Sequence, residues 1–97
     1  MNTHLETKAL FAGYNPADNN GAVKPPIYPA STFVFPSAAI GAAHMETAYG
    51  VEGAETPPEG GFIYSRLGNP TLSVAETRLA AWDESDAAAF FASGMAA

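Results

Sequence analysis

The sequence contains no cysteine, so neither a disulfide framework nor a thiolate metal site enters the reading, and the redox compartment stays open. Basic residues are scarce as well. Four Lys and Arg stand against ten Asp and Glu, which argues against a general nucleic-acid surface, because phosphate backbones need clustered cations. No run approaches the roughly 20 apolar residues of a membrane span. The start, Met1-Asn2-Thr3-His4-Leu5-Glu6, also lacks the basic-then-apolar pattern of a secretory signal. A cytoplasmic protein without nucleic-acid or membrane partners is the expectation. His4 and His44 have no second ligand at metal-binding spacing, and no Walker-type or Gly-x-Gly-x-x-Gly phosphate loop is present, so no metal site is expected.

Proline and glycine are plentiful but unevenly spread. Residues 1–61 hold seven of the eight prolines and seven of the nine glycines, interleaved with short apolar runs such as Ile27-Tyr28 and Phe33-Val34-Phe35. Such a segment is poor at burying its own apolar surface and is expected to pack against something else.

A short helix is expected around Leu5, Lys8, Ala9 and Leu10, with Thr3 as its cap, ended by Gly13 and Asn15-Pro16. Residues 18–21 favour turns. Lys24-Pro25-Pro26-Ile27-Tyr28-Pro29 sets an extended path, since each proline locks its own φ and biases its predecessor away from helix. Ser31-Thr32-Phe33-Val34-Phe35 has strand-forming residues and ends at Pro36-Ser37. A weak helix is expected over 38–48, interrupted in propensity by Gly41, followed by a Gly-, Pro- and Glu-rich mobile loop over 50–61 whose Glu52, Glu55 and Glu59 keep it solvated.

Asn69-Pro70 is the best helix start in the chain. Asn caps well, and Pro suits the first helical position, where its missing N–H has no partner to lose. Leu72, Ala75, Leu79 and Trp82 then mark one buried helical face, with the helix finishing near Trp82 because Asp83-Glu84 oppose the dipole at a C-terminus. The apolar run Ala87-Ala88-Ala89-Phe90-Phe91-Ala92 suits a strand buried on both faces, feeding a helix through Ser93-Gly94. A strand, small-residue turn and helix in that order is the opening of a parallel α/β sheet, whose ligands collect at such turns.

Two groups of residues carry the chemistry. Tyr64 and Arg66, two apart and just ahead of a helix cap, offer a phenol and a guanidinium to one phosphate; the competing reading is an exposed pair engaged with nearby carboxylates. Ser93-Gly94-Met95 offers backbone N–H groups at a helix start, where the peptide dipoles favour an anion, although a plain strand-to-helix turn has the same composition. Arg78, two residues after Glu76, suits a solvated or structural ion-pair role. Pro25-Pro26 would fit a proline-rich docking peptide only if Ile27, Tyr28 and Phe33 were not apolar groups asking for burial.

In order, Gly21-Ala22-Val23-Lys24-Pro25-Pro26-Ile27-Tyr28, Thr32-Phe33-Val34-Phe35, Gly61-Phe62-Ile63-Tyr64-Ser65-Arg66, Asn69-Pro70-Thr71 and Ala92-Ser93-Gly94-Met95-Ala96-Ala97 resemble the opening of a Cys/Met-metabolism enzyme dependent on pyridoxal 5'-phosphate (PLP). That family includes cystathionine γ-synthase, cystathionine lyases, methionine γ-lyase and O-acylhomoserine sulfhydrylases. The resemblance implies an α/β protein of the aspartate-aminotransferase class, fold type I. Residues 1–60 would form an extended inter-subunit arm, and 61–97 would begin the PLP-binding large domain. It implies that Tyr64 and Arg66 bind the cofactor phosphate of an adjacent subunit while Gly94 and Met95 bind a phosphate within their own, in a homodimer or homotetramer acting on a small amino-acid substrate.

Neither Lys8 nor Lys24 lies in the context of the family's cofactor-bound lysine, so the chain reads as the front piece of a longer protein with no catalytic residue of its own. The long stretch from Met45 to Gly60, and Asp83-Glu84-Ser85-Asp86 in place of the family's common Glu-Gly-Gly turn, leave the substrate open. The rival expectation is a noncatalytic oligomerisation or phosphate-binding module derived from the same fold.

Overall fold

The computed structural model describes residues 4–54 and 61–97. Its elements are α1 (Leu5–Phe11), a short 3-10 helix (Pro16–Asn19), α2 (Ala38–Ala48) and α3 (Pro70–Asp83). The chain divides into two compact units, Met1–Tyr28 with Pro70–Ala97, and Pro29–Asn69.

In the first unit α1 packs on α3. The cap of α1 is His4, which contributes no side-chain hydrogen bond; the expected cap, Thr3, lies outside the described residues. Arg78 of α3 donates from Nε to the Ala12 carbonyl at 3.1 Å, satisfying an acceptor at the C-terminal end of α1. A cation is favourable at that end of a helix, and the role of Arg78 is structural, with a backbone carbonyl as partner. Asn15 caps the 3-10 helix by accepting from the Ala17 N–H, and the chain leaves it through Asn20 at φ 56° and Gly21 at φ 79°. The Tyr14 hydroxyl shares its one proton between the carbonyls of Ala22 and Lys24, tying down the start of the proline segment. The far end of that segment is held to α3, where the Tyr28 N–H donates to Thr71 Oγ1 at 2.9 Å.

Helix α3 begins at Pro70, as the Asn-Pro signal indicates, and runs one residue past Trp82 to Asp83. The turn that ends it uses Glu84 at φ 54°, with the Ser85 N–H on the Ala80 carbonyl. Where a glycine would sit without strain, a glutamate occupies the left-handed region.

The stretch Ala87–Ala92 departs from the expected buried strand. No β-ladder forms among the described residues; Phe90 and Phe91 are exposed, and the Phe90 N–H donates to the Glu76 carboxylate at 3.2 Å. A strand's N–H and C=O groups need a neighbouring strand, and the described chain supplies none at this position.

The second unit is built on one antiparallel bridge, Thr32 with Tyr64, flanked by Phe33 N–H to Ile63 C=O at 3.2 Å and Ser65 N–H to Ser31 C=O at 2.8 Å. The expected strand over 31–35 is therefore realised as a single bridge. Helix α2 has the expected bounds and is capped by Ser37, whose Oγ accepts from the Ile40 N–H. It packs through Gly41, which is buried against the Phe35 ring, and through His44, which stacks on the same ring at 5.5 Å between centroids. Phe33 and Phe62 meet across the bridge at 5.8 Å. Of the loop expected over 50–61, residues 55–60 lie outside the described residues.

Burial is thin. Among the described residues Ala80 is the one buried apolar side chain, while Val34 and Met95 are 95% and 96% exposed. The poor self-burial expected from the proline and glycine distribution thus extends to the whole described chain, and the α3 face expected to be buried is open, with Leu72, Leu79 and Trp82 all exposed and Ala80 buried in their place.

Candidate functional site

Residues 64–67 form a turn in which the Tyr64 carbonyl accepts from the N–H groups of Leu67 and Gly68 at 2.9 and 3.0 Å. The backbone on the entering side is clamped by the bridge to Thr32, so Tyr64 and Arg66 leave a fixed frame. The two side chains meet: the guanidinium carbon of Arg66 sits 5.3 Å from the centroid of the Tyr64 ring. At an exposed site such a contact is worth about 0.5–1 kcal/mol, enough to bias the guanidinium towards the phenol without locking it.

Both residues are exposed, Tyr64 at 40%. Among the described residues no hydrogen bond reaches the Tyr64 hydroxyl and no hydrogen bond or carboxylate engages the Arg66 guanidinium. Five guanidinium N–H donors and one phenolic O–H have no acceptor among the described residues, and together they are a donor set matching a phosphate or carboxylate.

Between them, Ser65 faces the other way. Its Oγ donates to the Ala30 carbonyl and accepts from Asn69 Nδ2 at 3.1 Å. Asn69, 8% exposed, is the buried polar residue of the described chain. Sequence reasoning saw Asn69 only as a helix cap and gave Ser65 no role. No spacing signal gave Ser65 this role, because its partner Ala30 is 35 residues away.

At the other candidate, Ser93 has become the cap of a single helical turn. Its Oγ accepts from the Ala96 N–H at 3.1 Å and its carbonyl from the Ala97 N–H at 3.2 Å, the first bonds of a helix. The N–H groups of Gly94 and Met95 have no acceptor among the described residues. A Cβ built on Gly94 meets nothing within 4 Å, so close packing inside the chain is not what calls for glycine there.

The match of the Cys/Met metabolism PLP-dependent enzyme family covers residues 6–97. The chain belongs to that family. It is 41% identical over 96 residues to an L-methionine gamma-lyase of Pseudomonas deceptionensis, covering 99% of this chain and 22% of that protein. To a cystathionine gamma-synthase of Mycobacterium leprae it is 41% identical over 95 residues, 98% of this chain and 20% of the relative. An L-methionine gamma-lyase of Fusobacterium nucleatum subsp. polymorphum is 41% identical over 93 residues, 96% and 21%. The chain thus spans about a fifth of the length of the curated relatives it matches.

The family's cofactor ends in a phosphate ester, and the donor chemistry fits it. A phosphate wants a bidentate cation, neutral O–H donors and free backbone N–H groups, and Tyr64, Arg66, Gly94 and Met95 present those types. Among the described residues no group of His, Asp or Glu is arranged to hold a metal ion. No described helix is long and apolar enough to cross a membrane.

Proposed function

We propose that this chain is the N-terminal part of a PLP-dependent transsulfuration-type enzyme that carries out elimination or γ-replacement on a sulfur amino acid or an activated homoserine. The observation that carries the reading is the Tyr64–Arg66 pair: an exposed guanidinium over a phenol ring, both without another partner among the described residues, on a turn clamped by backbone hydrogen bonds. PLP supplies an electron sink for carbanion chemistry when bound. This chain's residues bind and orient its phosphate. Arg66 neutralises charge through its fork, Tyr64 adds a neutral donor, and the N–H groups of Gly94 and Met95 complete the cradle at the head of a helical turn.

The phosphate site is shared between protomers in this proposal. Tyr64 and Arg66, carried by an arm over 1–60 and the first residues of the large domain, serve the cofactor of a neighbouring protomer, and Gly94 and Met95 serve their own. The exposed apolar side chains Val34, Leu10, Phe11 and Phe91 ask for cover from the rest of the enzyme or from a neighbouring protomer, and a homodimer or homotetramer goes with the shared site. The α/β architecture of fold type I and a cytoplasmic location go with the same reading.

The test is cofactor affinity in the full-length protein, titrated with PLP and with pyridoxal, which lacks the phosphate. A hydrogen bond to a charged group contributes about 1.5–3 kcal/mol, so Arg66→Ala is expected to weaken PLP binding by roughly ten- to a hundredfold and leave pyridoxal unaffected. Equal affinity for PLP in parent and variant refutes the assignment of Arg66.

A further inference from the structure

We propose that Ser65 and Asn69 are positioning residues for the anion-binding pair, forming a hydrogen-bonded relay that fixes the turn from which Tyr64 and Arg66 project. The inference rests on the reading of Tyr64 and Arg66 as phosphate ligands and adds to it two residues that touch no ligand. A serine hydroxyl has one proton to donate. That of Ser65 goes to the Ala30 carbonyl, and its oxygen accepts from Asn69 Nδ2 at 3.1 Å, so the side chain is committed to the protein. Asn69 Nδ2 also lies 3.5 Å from the Ala30 carbonyl, closing a three-membered cluster between the proline-rich segment and the end of the turn. The Ser65 N–H to Ser31 bond at 2.8 Å fixes the same residue through its backbone.

The purpose of burying an amide here follows from what surrounds it. Asn69 is 8% exposed in a chain with little other burial, and a buried amide is costly unless its donors are used. Using them on Ser65 and Ala30 holds both neighbours of Ser65 in one orientation. An arginine side chain loses substantial rotamer freedom when it grips an anion, and a fixed point of departure lowers that loss. The relay pre-organises the pair; it contributes no charge and no donor to the ligand.

The experiment compares Ser65→Ala, Asn69→Ser and Ser65→Thr in the full-length protein, each titrated with PLP and with pyridoxal. Serine at 69 remains a good helix cap for α3 but is too short to bridge to Ser65, and threonine at 65 retains the hydroxyl. The expected result is that Ser65→Ala and Asn69→Ser lose about tenfold in PLP affinity, pyridoxal affinity stays at the parent value, and Ser65→Thr restores PLP binding. Unchanged PLP affinity in Ser65→Ala and Asn69→Ser overturns the relay, and so does an equal loss for both ligands, which marks a general structural role. Arg66→Ala in the same titration separates the two levels. If it loses phosphate-dependent affinity while the relay variants do not, the relay alone fails; if it loses nothing, the phosphate reading of the pair fails and takes the relay with it.

Discussion

Replacing Gly41 by alanine sets two effects of known size against each other. Gly41 lies inside α2, and alanine in a helix interior is better than glycine by about 1 kcal/mol. A Cβ built there falls 2.8 Å from Phe35 Cδ2 and 3.2 Å from Cγ, inside contact distance. The ring is not free to move aside, because its other neighbour is the His44 imidazole, stacked at 5.5 Å with 21° between planes. Overpacking of this kind costs about 1–3 kcal/mol, so Gly41→Ala is expected to destabilise by up to about 2 kcal/mol. In a Phe35→Leu background the overlap is relieved, the helix term stands alone, and the same substitution is expected to stabilise by up to about 1 kcal/mol. Urea unfolding of the parent, both single variants and the double variant measures the cycle. Stabilisation by Gly41→Ala in the parent, or effects that add within about 0.5 kcal/mol, refutes the packing of α2 on Phe35.

Arg78→Met keeps the aliphatic stem and removes the donor to Ala12, so α1 is expected to exchange its amide hydrogens faster, with a stability loss of about 1 kcal/mol in the hydrogen-exchange profile. Glu84→Gly relieves a glutamate held at φ 54° and is expected to raise the thermal midpoint, by up to about 1 kcal/mol of stability. Arg66→Lys keeps the charge and loses the fork, so PLP affinity should fall by about tenfold, measurable by the same titration as Arg66→Ala.

Local chemistry was legible wherever it is decided within a few residues. Asn69-Pro70 announces the start of α3 because the fixed φ of proline acts within one turn, whereas Asn15-Pro16 and Pro36-Ser37, read only as ends of the preceding segments, also open the 3-10 helix and α2 through side-chain caps. The Tyr64 and Arg66 pair was visible as two donors at alternate positions. The contacts that hold it were not, because Ser65 meets Ala30 across 35 residues and Asn69 meets Ala30 across 39, and no spacing rule carries that far. His44 likewise resembled an isolated histidine until the fold brought it onto Phe35. The run 87–92 was read from its apolar composition alone, which reports a preference for burial. Strand formation also requires a partner backbone, and the only bridge among the described residues joins Thr32 and Tyr64.

Mixing protomers tests the shared phosphate site most directly. Arg66→Ala disables the lent pair; Gly94→Pro removes a backbone N–H at a position where proline suits the start of a helix. In a hybrid of the two full-length chains, a shared arrangement makes one site carry both defects and the other none, so high-affinity PLP binding should return at one site per dimer although neither variant binds tightly by itself. Hybrids that bind no better than the two parents would contradict it.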